Sequence, residues 1–174
     1  NGITVSRSSD TNINRNNIGL PQDHGNYGIR LSDVSQSLIE GNPSIYASKF
    51  GIRGDLLTDV DVTAWRDDNN NVFSSNNISI FGTQNTNSGG ILFTGAESYN
   101  ITDNFINASE VAVGIELNNS PDNTIRNNYV DISSTLTLFH AAAIRNMGSI
   151  DMTVRENETH SSNNVNGILA QNSA

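Results

Sequence analysis

The sequence predicts an all-β coil of parallel strands, about seven rungs of three short strands each. Three observations carry that prediction. Gly-Ile or Ala-Ile pairs recur along the whole chain, an Asn stands fourteen residues after five of them, and the leg beyond that Asn varies in length while the leg before it holds.

The pairs are Gly2-Ile3, Gly28-Ile29, Gly51-Ile52, Gly90-Ile91, Gly114-Ile115, Ala143-Ile144 and Gly167-Ile168. Fourteen residues on from the first member come Asn16, Asn42, Asn104, Asn128 and Asn157. Three residues before each Asn sit Ile13, Ile39, Ile101, Ile125 and Val154, and two residues after it come Ile18, Ser44, Ile106, Val130 and Thr159. The third rung keeps the pattern once 11 extra residues are allowed, which brings Phe73, Asn76 and Ile78 into register. The seventh stops after its opening strand. Rungs are spaced 26, 23, 39, 24, 29 and 24 residues apart, so one turn is fixed and another edge carries loops.

The stretch GIELNNSPDNTIRNNYVDI, Gly114 to Ile132, is one full rung. Each of its short strands pairs with its equivalent one rung away, about 4.8 Å along the coil. Inward Ile, Leu and Val stack into a continuous core. The recurring turn Asn is expected to supply a left-handed backbone position and a side-chain amide that hydrogen-bonds along the stack.

Composition agrees. The 174 residues suit one domain, and 35% of them are hydrophobic with a mean hydropathy of −0.39. Asn, Ser, Gly, Ile and Thr abound while Lys49 is the single lysine, a balance that favours strands and turns over helices. No stretch reaches membrane-spanning length. Cys is absent, which removes disulfides and thiolate metal sites. The net charge of −9 disfavours nucleic acid, which calls for a basic patch. Local Arg clusters can still attract an anionic polysaccharide. Gly-rich phosphate loops, HExxH, GxSxG and CxxC are all missing.

With this rung pattern the chain resembles the right-handed parallel β-helix family, the pectate-lyase-like group, over essentially residues 1–170. That group includes pectin-active enzymes, alginate lyases and epimerases, and phage tailspike depolymerases. The resemblance implies a right-handed parallel β-helix, with the Gly-Ile strand in the first sheet, the Ile125 segment in the second and Tyr129–Ile132 in the third. It implies an extracellular, secreted or virion-surface protein that binds a polysaccharide. The chain begins inside a rung and stops at Gly167-Ile168-Leu169-Ala170. The expectation is therefore one domain over 1–174, either a segment of a larger protein or a member of an oligomer, such as a tailspike-like homotrimer, whose neighbours cover its ends.

Candidate chemistry sits on the Gly-Ile strand. Residues between the two inward positions point outward, and stacked they read Thr4, Arg30, Arg53, Leu92, Glu116, Arg145 and Leu169. The Gly and Ala column beside this lane is expected to leave an open, flat surface. Arg30, Arg53 and Arg145 suit carboxylates and sulfates. Glu116 lies one rung from Arg145 and reads either as a surface ion pair or as a ligand-facing group. The insertion GDLLTDVDVTAWRDDNN carries the only Trp, Trp65, a platform for a sugar ring. As a hydrolase, Glu116 would act with Asp55 or Asp59 as the acid and base pair. Asp59 and Asp61 share a strand face and are alternatively oxygen ligands for calcium; no other cofactor is expected. As a lyase or epimerase, His24 or Tyr27 would be the base, with Arg30 or Arg53 neutralising the uronate.

Three functions follow: a depolymerase that binds and cleaves a polysaccharide, a non-catalytic structural or carbohydrate-binding segment of a spike or surface protein, and a uronate C5-epimerase. Ice binding would need a regular outward Thr lane, which is missing.

Overall fold

The computed structural model describes residues 2–20, 25–35, 37–55, 71–81, 88–110, 113–134, 141–163 and 165–171. The first rung holds β1 (Ile3–Ser9), β2 (Asn12–Asn14) and β3 (Asn17–Ile18), and the second β4 (Tyr27–Ser35), β5 (Leu38–Glu40) and β6 (Ser44–Ala47). The third comprises β7 (Phe50–Asp55), β8 (Asn71–Ser74) and β9 (Asn77–Phe81), and the fourth β10 (Gly89–Thr94), β11 (Tyr99–Thr102) and β12 (Phe105–Ser109). The fifth comprises β13 (Val113–Asn118), β14 (Thr124–Arg126) and β15 (Tyr129–Ser134), and the sixth β16 (Ala142–Met147), β17 (Thr153–Arg155) and β18 (Glu158–Asn163). β19 (Asn166–Gln171) opens a seventh.

The strands form three sheets of 7, 6 and 6 strands, and every neighbour in each sheet is its counterpart one rung away. All pairings are parallel, as in β10 with β7 and β13. The chain is an all-β parallel solenoid. About seven rungs were expected; among the described residues the last is represented by β19 alone, so fewer turns are complete. The insertion falls where the sequence placed it, since β7 ends at Asp55 and β8 begins at Asn71.

Hydrophobic stacking along the coil builds the core. Ile29, Ile52, Ile91 and Ile115 follow one another in register, each 0% exposed. Burying one such side chain contributes about 1.5–3 kcal/mol, and one rung alone has no second layer against which to do it. The third-sheet register corrects one expectation. Ile18 pairs with Ile45, not Ser44, because Pro43 adds a residue after Asn42. The inward column then reads Ile18, Ile45, Ile78, Ile106, Val130 and Thr159.

Asn42, Asn76, Asn104 and Asn128 are buried, and the whole column is hydrogen-bonded. The Asn42 side-chain amide donates to Asn76 Oδ1 at 2.8 Å, Asn76 to Asn104 at 3.0 Å, Asn104 to Asn128 at 2.9 Å and Asn128 to Asn157 at 2.9 Å. The same oxygens accept the backbone N–H of the preceding rung's Asn. Backbone bonds join the rungs on either side of each Asn, as in Asp103 N–H to the Arg126 carbonyl and Phe105 N–H to the Asn76 carbonyl, and the side-chain oxygen supplies the acceptor for the Asn N–H between them. The left-handed position is not the ladder Asn, contrary to expectation. It is the residue before it: Arg15, Gly41, Ser75, Asp103, Asn127 and Glu156, with φ between 53° and 58°. Five of these six are not glycine, and each carries a strain of about 1–2 kcal/mol that the ladder bonds help offset.

A shorter ladder at the corner between the first two sheets escaped the sequence reading. Ala96 N–H donates to Ser120 Oγ at 3.1 Å, and Ser120 N–H to Ser149 Oγ at 2.8 Å.

The Gly and Ala column is also corrected. It faces the core rather than an open surface. A Cβ on Gly90 would stand 2.6 Å from Ile106 Cγ2 and 2.6 Å from the Gly114 carbonyl oxygen. One on Gly114 would stand 2.3 Å from Val130 Cγ1. Glycine here lets the first sheet close against the third. Ala143 takes the place where the third-sheet residue is Thr159 instead of a bulkier aliphatic.

Candidate functional site

The outward lane of the first sheet is in register from end to end: Thr4, Arg30, Arg53, Leu92, Glu116, Arg145 and Leu169. Period-2 alternation places them outside because Ile29 and Leu31, and their counterparts, are locked inside. The lane is not uniformly open. Thr4 and Arg30 are exposed, while Leu92 is 7% exposed and its lane neighbours Glu116 and Arg145 are 13% and 14% exposed in their side chains.

Arg145 Nη2 donates to Glu116 Oε2 at 2.7 Å. This is the pair anticipated from the one-rung spacing, but it is recessed rather than a surface contact. Arg53 grips Asp55 with Nε at 3.2 and 3.1 Å from the two carboxylate oxygens and Nη2 at 3.1 Å from Oδ1. Both described members of the proposed acid and base pair are thus held by arginines. Nor do they share a rung. Asp55 stands beside Thr94 and then Asn118, two strands over, and Glu116 lies two residues before Asn118. Strand geometry puts their Cα atoms about 12 Å apart. Asp59, Trp65 and His24, together with Asp61 and His140, lie outside the described residues, so the calcium reading of Asp59 and Asp61 lies there too. Among the described residues no cluster of three or more His, Cys, Asp or Glu is arranged to hold a metal ion.

The structure does bring Tyr27, Arg30 and Arg53 together, with two partners the sequence reading missed. Tyr27 pairs in register with Phe50, and their rings stack at 5.9 Å with an 18° angle between planes. The Arg30 guanidinium lies 5.4 Å from the Tyr27 ring centre, and Arg53 lies 5.2 Å from that of Phe50. Lys49 Nζ is 5.8 Å from Phe50. Phe50 itself is 2% exposed. Three of the chain's nine basic side chains therefore flank two stacked rings, and one of them, Arg53, is paired with the Asp55 carboxylate. Arg30 is exposed beside its ring and open to an anion, whereas Arg53 is held by both its ring and Asp55. Only a comparison of rungs hints at Phe50: it and Tyr27 each precede a Gly-Ile pair, Phe50 directly before Gly51 and Tyr27 directly before Gly28.

Among the described residues no helix is long and apolar enough to cross a membrane. Compared with known proteins, the chain matches no family model, no curated protein and no solved structure.

Proposed function

We propose that this β-solenoid is a polysaccharide-binding protein that takes an acidic glycan on the outer face of its first sheet. The observation that carries the reading is the cluster of Arg30, Arg53 and Lys49 around the Tyr27 and Phe50 rings, on a chain whose net charge is −9. Guanidinium groups recognise carboxylates and sulfates in two-pronged fashion, and Tyr27 offers an apolar edge to a sugar ring. Arg30 and Arg53 stand side by side in register, about 4.8 Å apart by strand spacing, so an extended chain lying along the coil meets one cation after another. The resemblance of the rung pattern to the pectate-lyase-like group supports the reading by analogy of fold, and with it an extracellular or virion-surface location.

Binding without cleavage stands ahead of depolymerisation or epimerisation. Glu116 and Asp55 are each engaged by an arginine, which occupies the carboxylates that an acid and base pair would need.

The test is affinity electrophoresis through gels containing polyuronates, sulfated glycans or neutral glycans, with product assays for new reducing ends and unsaturated ends. Retardation by acidic glycans alone, lost in Arg30→Ala with Arg53→Ala, is the expected result. Absence of retardation by any acidic glycan overturns the proposal, and release of new ends restores the depolymerase.

A further inference from the structure

The third sheet carries an aromatic strip remote in sequence from the cationic cluster. Phe105 and Tyr129 are register partners on β12 and β15, and their rings are parallel within 1° at a centroid distance of 4.8 Å. Carbon atoms in contact sit about 3.5–4.0 Å apart, so rings at this distance are slipped past each other and each leaves part of a face uncovered. Phe105 is 44% exposed. The His160 ring continues the strip at 5.2 Å from Tyr129, and its Nε2 lies 2.7 Å from Glu158 Oε1.

Hydrogen-bonding side chains flank the rings. Asn107 is exposed and sits in register between Ser79 and Asp131, and Asp131 is followed by His160. Amide, carboxylate and imidazole groups beside an exposed aromatic edge match the mixed apolar and hydroxyl surface of a sugar. The charge of this face selects among sugars. None of the six strands of the third sheet contains Arg or Lys, whereas Asp131 and Glu158 are on it. An acidic glycan would be repelled here.

We infer that the outer face of the third sheet, at Phe105, Tyr129 and His160 with Asn107 beside them, is a second glycan-binding surface, and that its ligand is an uncharged polysaccharide. The inference does not depend on the acidic-glycan reading of the first sheet. It gives the solenoid two faces of different charge and different sugar preference.

The test is affinity electrophoresis of the whole chain against neutral glucans, mannans, xylans and galactans, followed by titration with the retarding glycan under observation of the His160 ring resonances. The expected result is retardation by at least one neutral glycan and movement of those resonances. Phe105→Leu with Tyr129→Leu weakens the interaction about tenfold or more. Should the leucine variant unfold, the exposed changes Asn107→Ala and His160→Ala decide in its place, each lowering affinity with an unchanged melting temperature. Silence across the neutral panel overturns the inference. So does binding that is indifferent to Asn107 and His160, which would leave the ring stack as a brace for the coil.

Discussion

Asn76 gives two hydrogen bonds to a single atom of Asn104. Its backbone N–H reaches Asn104 Oδ1 at 3.1 Å and its side-chain amide reaches the same oxygen at 3.0 Å. Both residues are 1% exposed, so water offers neither donor an alternative. Asn104→Ala therefore strands two buried donors, and the expected cost is about 3 kcal/mol or more. Urea unfolding followed by circular dichroism measures it. A cost below 1 kcal/mol would show that the ladder is incidental.

The glycine column yields a steric prediction. Gly90→Ala forces a Cβ to within 2.6 Å of a backbone oxygen and an Ile106 methyl. The expected destabilisation is about 1–3 kcal/mol. Gly41→Ala is the contrasting case, because nothing lies within 4 Å of its added Cβ and only the positive φ of 58° opposes it. The two variants should lose stability for separable reasons, read as a crystal or NMR displacement around Ile106 in the first and none in the second.

Glu116 and Arg145 are recessed enough that their pairing matters to the fold. Glu116→Gln, which removes the carboxylate charge held 2.7 Å from Arg145, should cost about 1–3 kcal/mol, while the Glu116→Gln, Arg145→Met double variant should cost less than the two single changes summed. Denaturant titration of the four proteins completes the cycle. Strict additivity would mean the two side chains are energetically independent.

Asp55 competes for Arg53. Replacing Asp55 with Asn removes a charge that repels an anionic ligand and loosens the guanidinium from its three contacts. Acidic-glycan affinity at low salt should rise about threefold or more and lose that gain as salt is added. A fall in affinity would reassign Asp55 as a direct ligand group.

The coil was readable because a stacked turn repeats one demand at one place. Each rung needs a hydrogen-bonding amide at its fixed corner, and Asn16, Asn42, Asn76, Asn104, Asn128 and Asn157 answer it. The Ser44 register failed for a local reason, since Pro43 lengthens a single turn. The glycine column was misjudged because strict alternation breaks at a corner: Gly28 and Ile29 are adjacent, yet both are buried. Phe50 escaped because the ring stack joins residues of two rungs, although Tyr27-Gly28-Ile29-Arg30 and Phe50-Gly51-Ile52-Arg53 repeat one pattern, with each Arg beside the ring of its own rung. The serine ladder was hidden by its first member, Ala96, which contributes only its backbone.

The asparagine column has a sense of direction. From Asn42 to Asn128, each side-chain amide donates to the Oδ1 of the Asn one rung later in sequence, while Asn42, Asn76 and Asn128 also donate to a backbone carbonyl one rung earlier, at Ile13, Ile39 and Ile101. A rung duplicated in tandem would meet its neighbours donor to acceptor and extend the column. The same rung inverted would set amide against amide. A coil of this kind keeps its column continuous when each added unit stacks in the same orientation and carries an amide at the fixed corner.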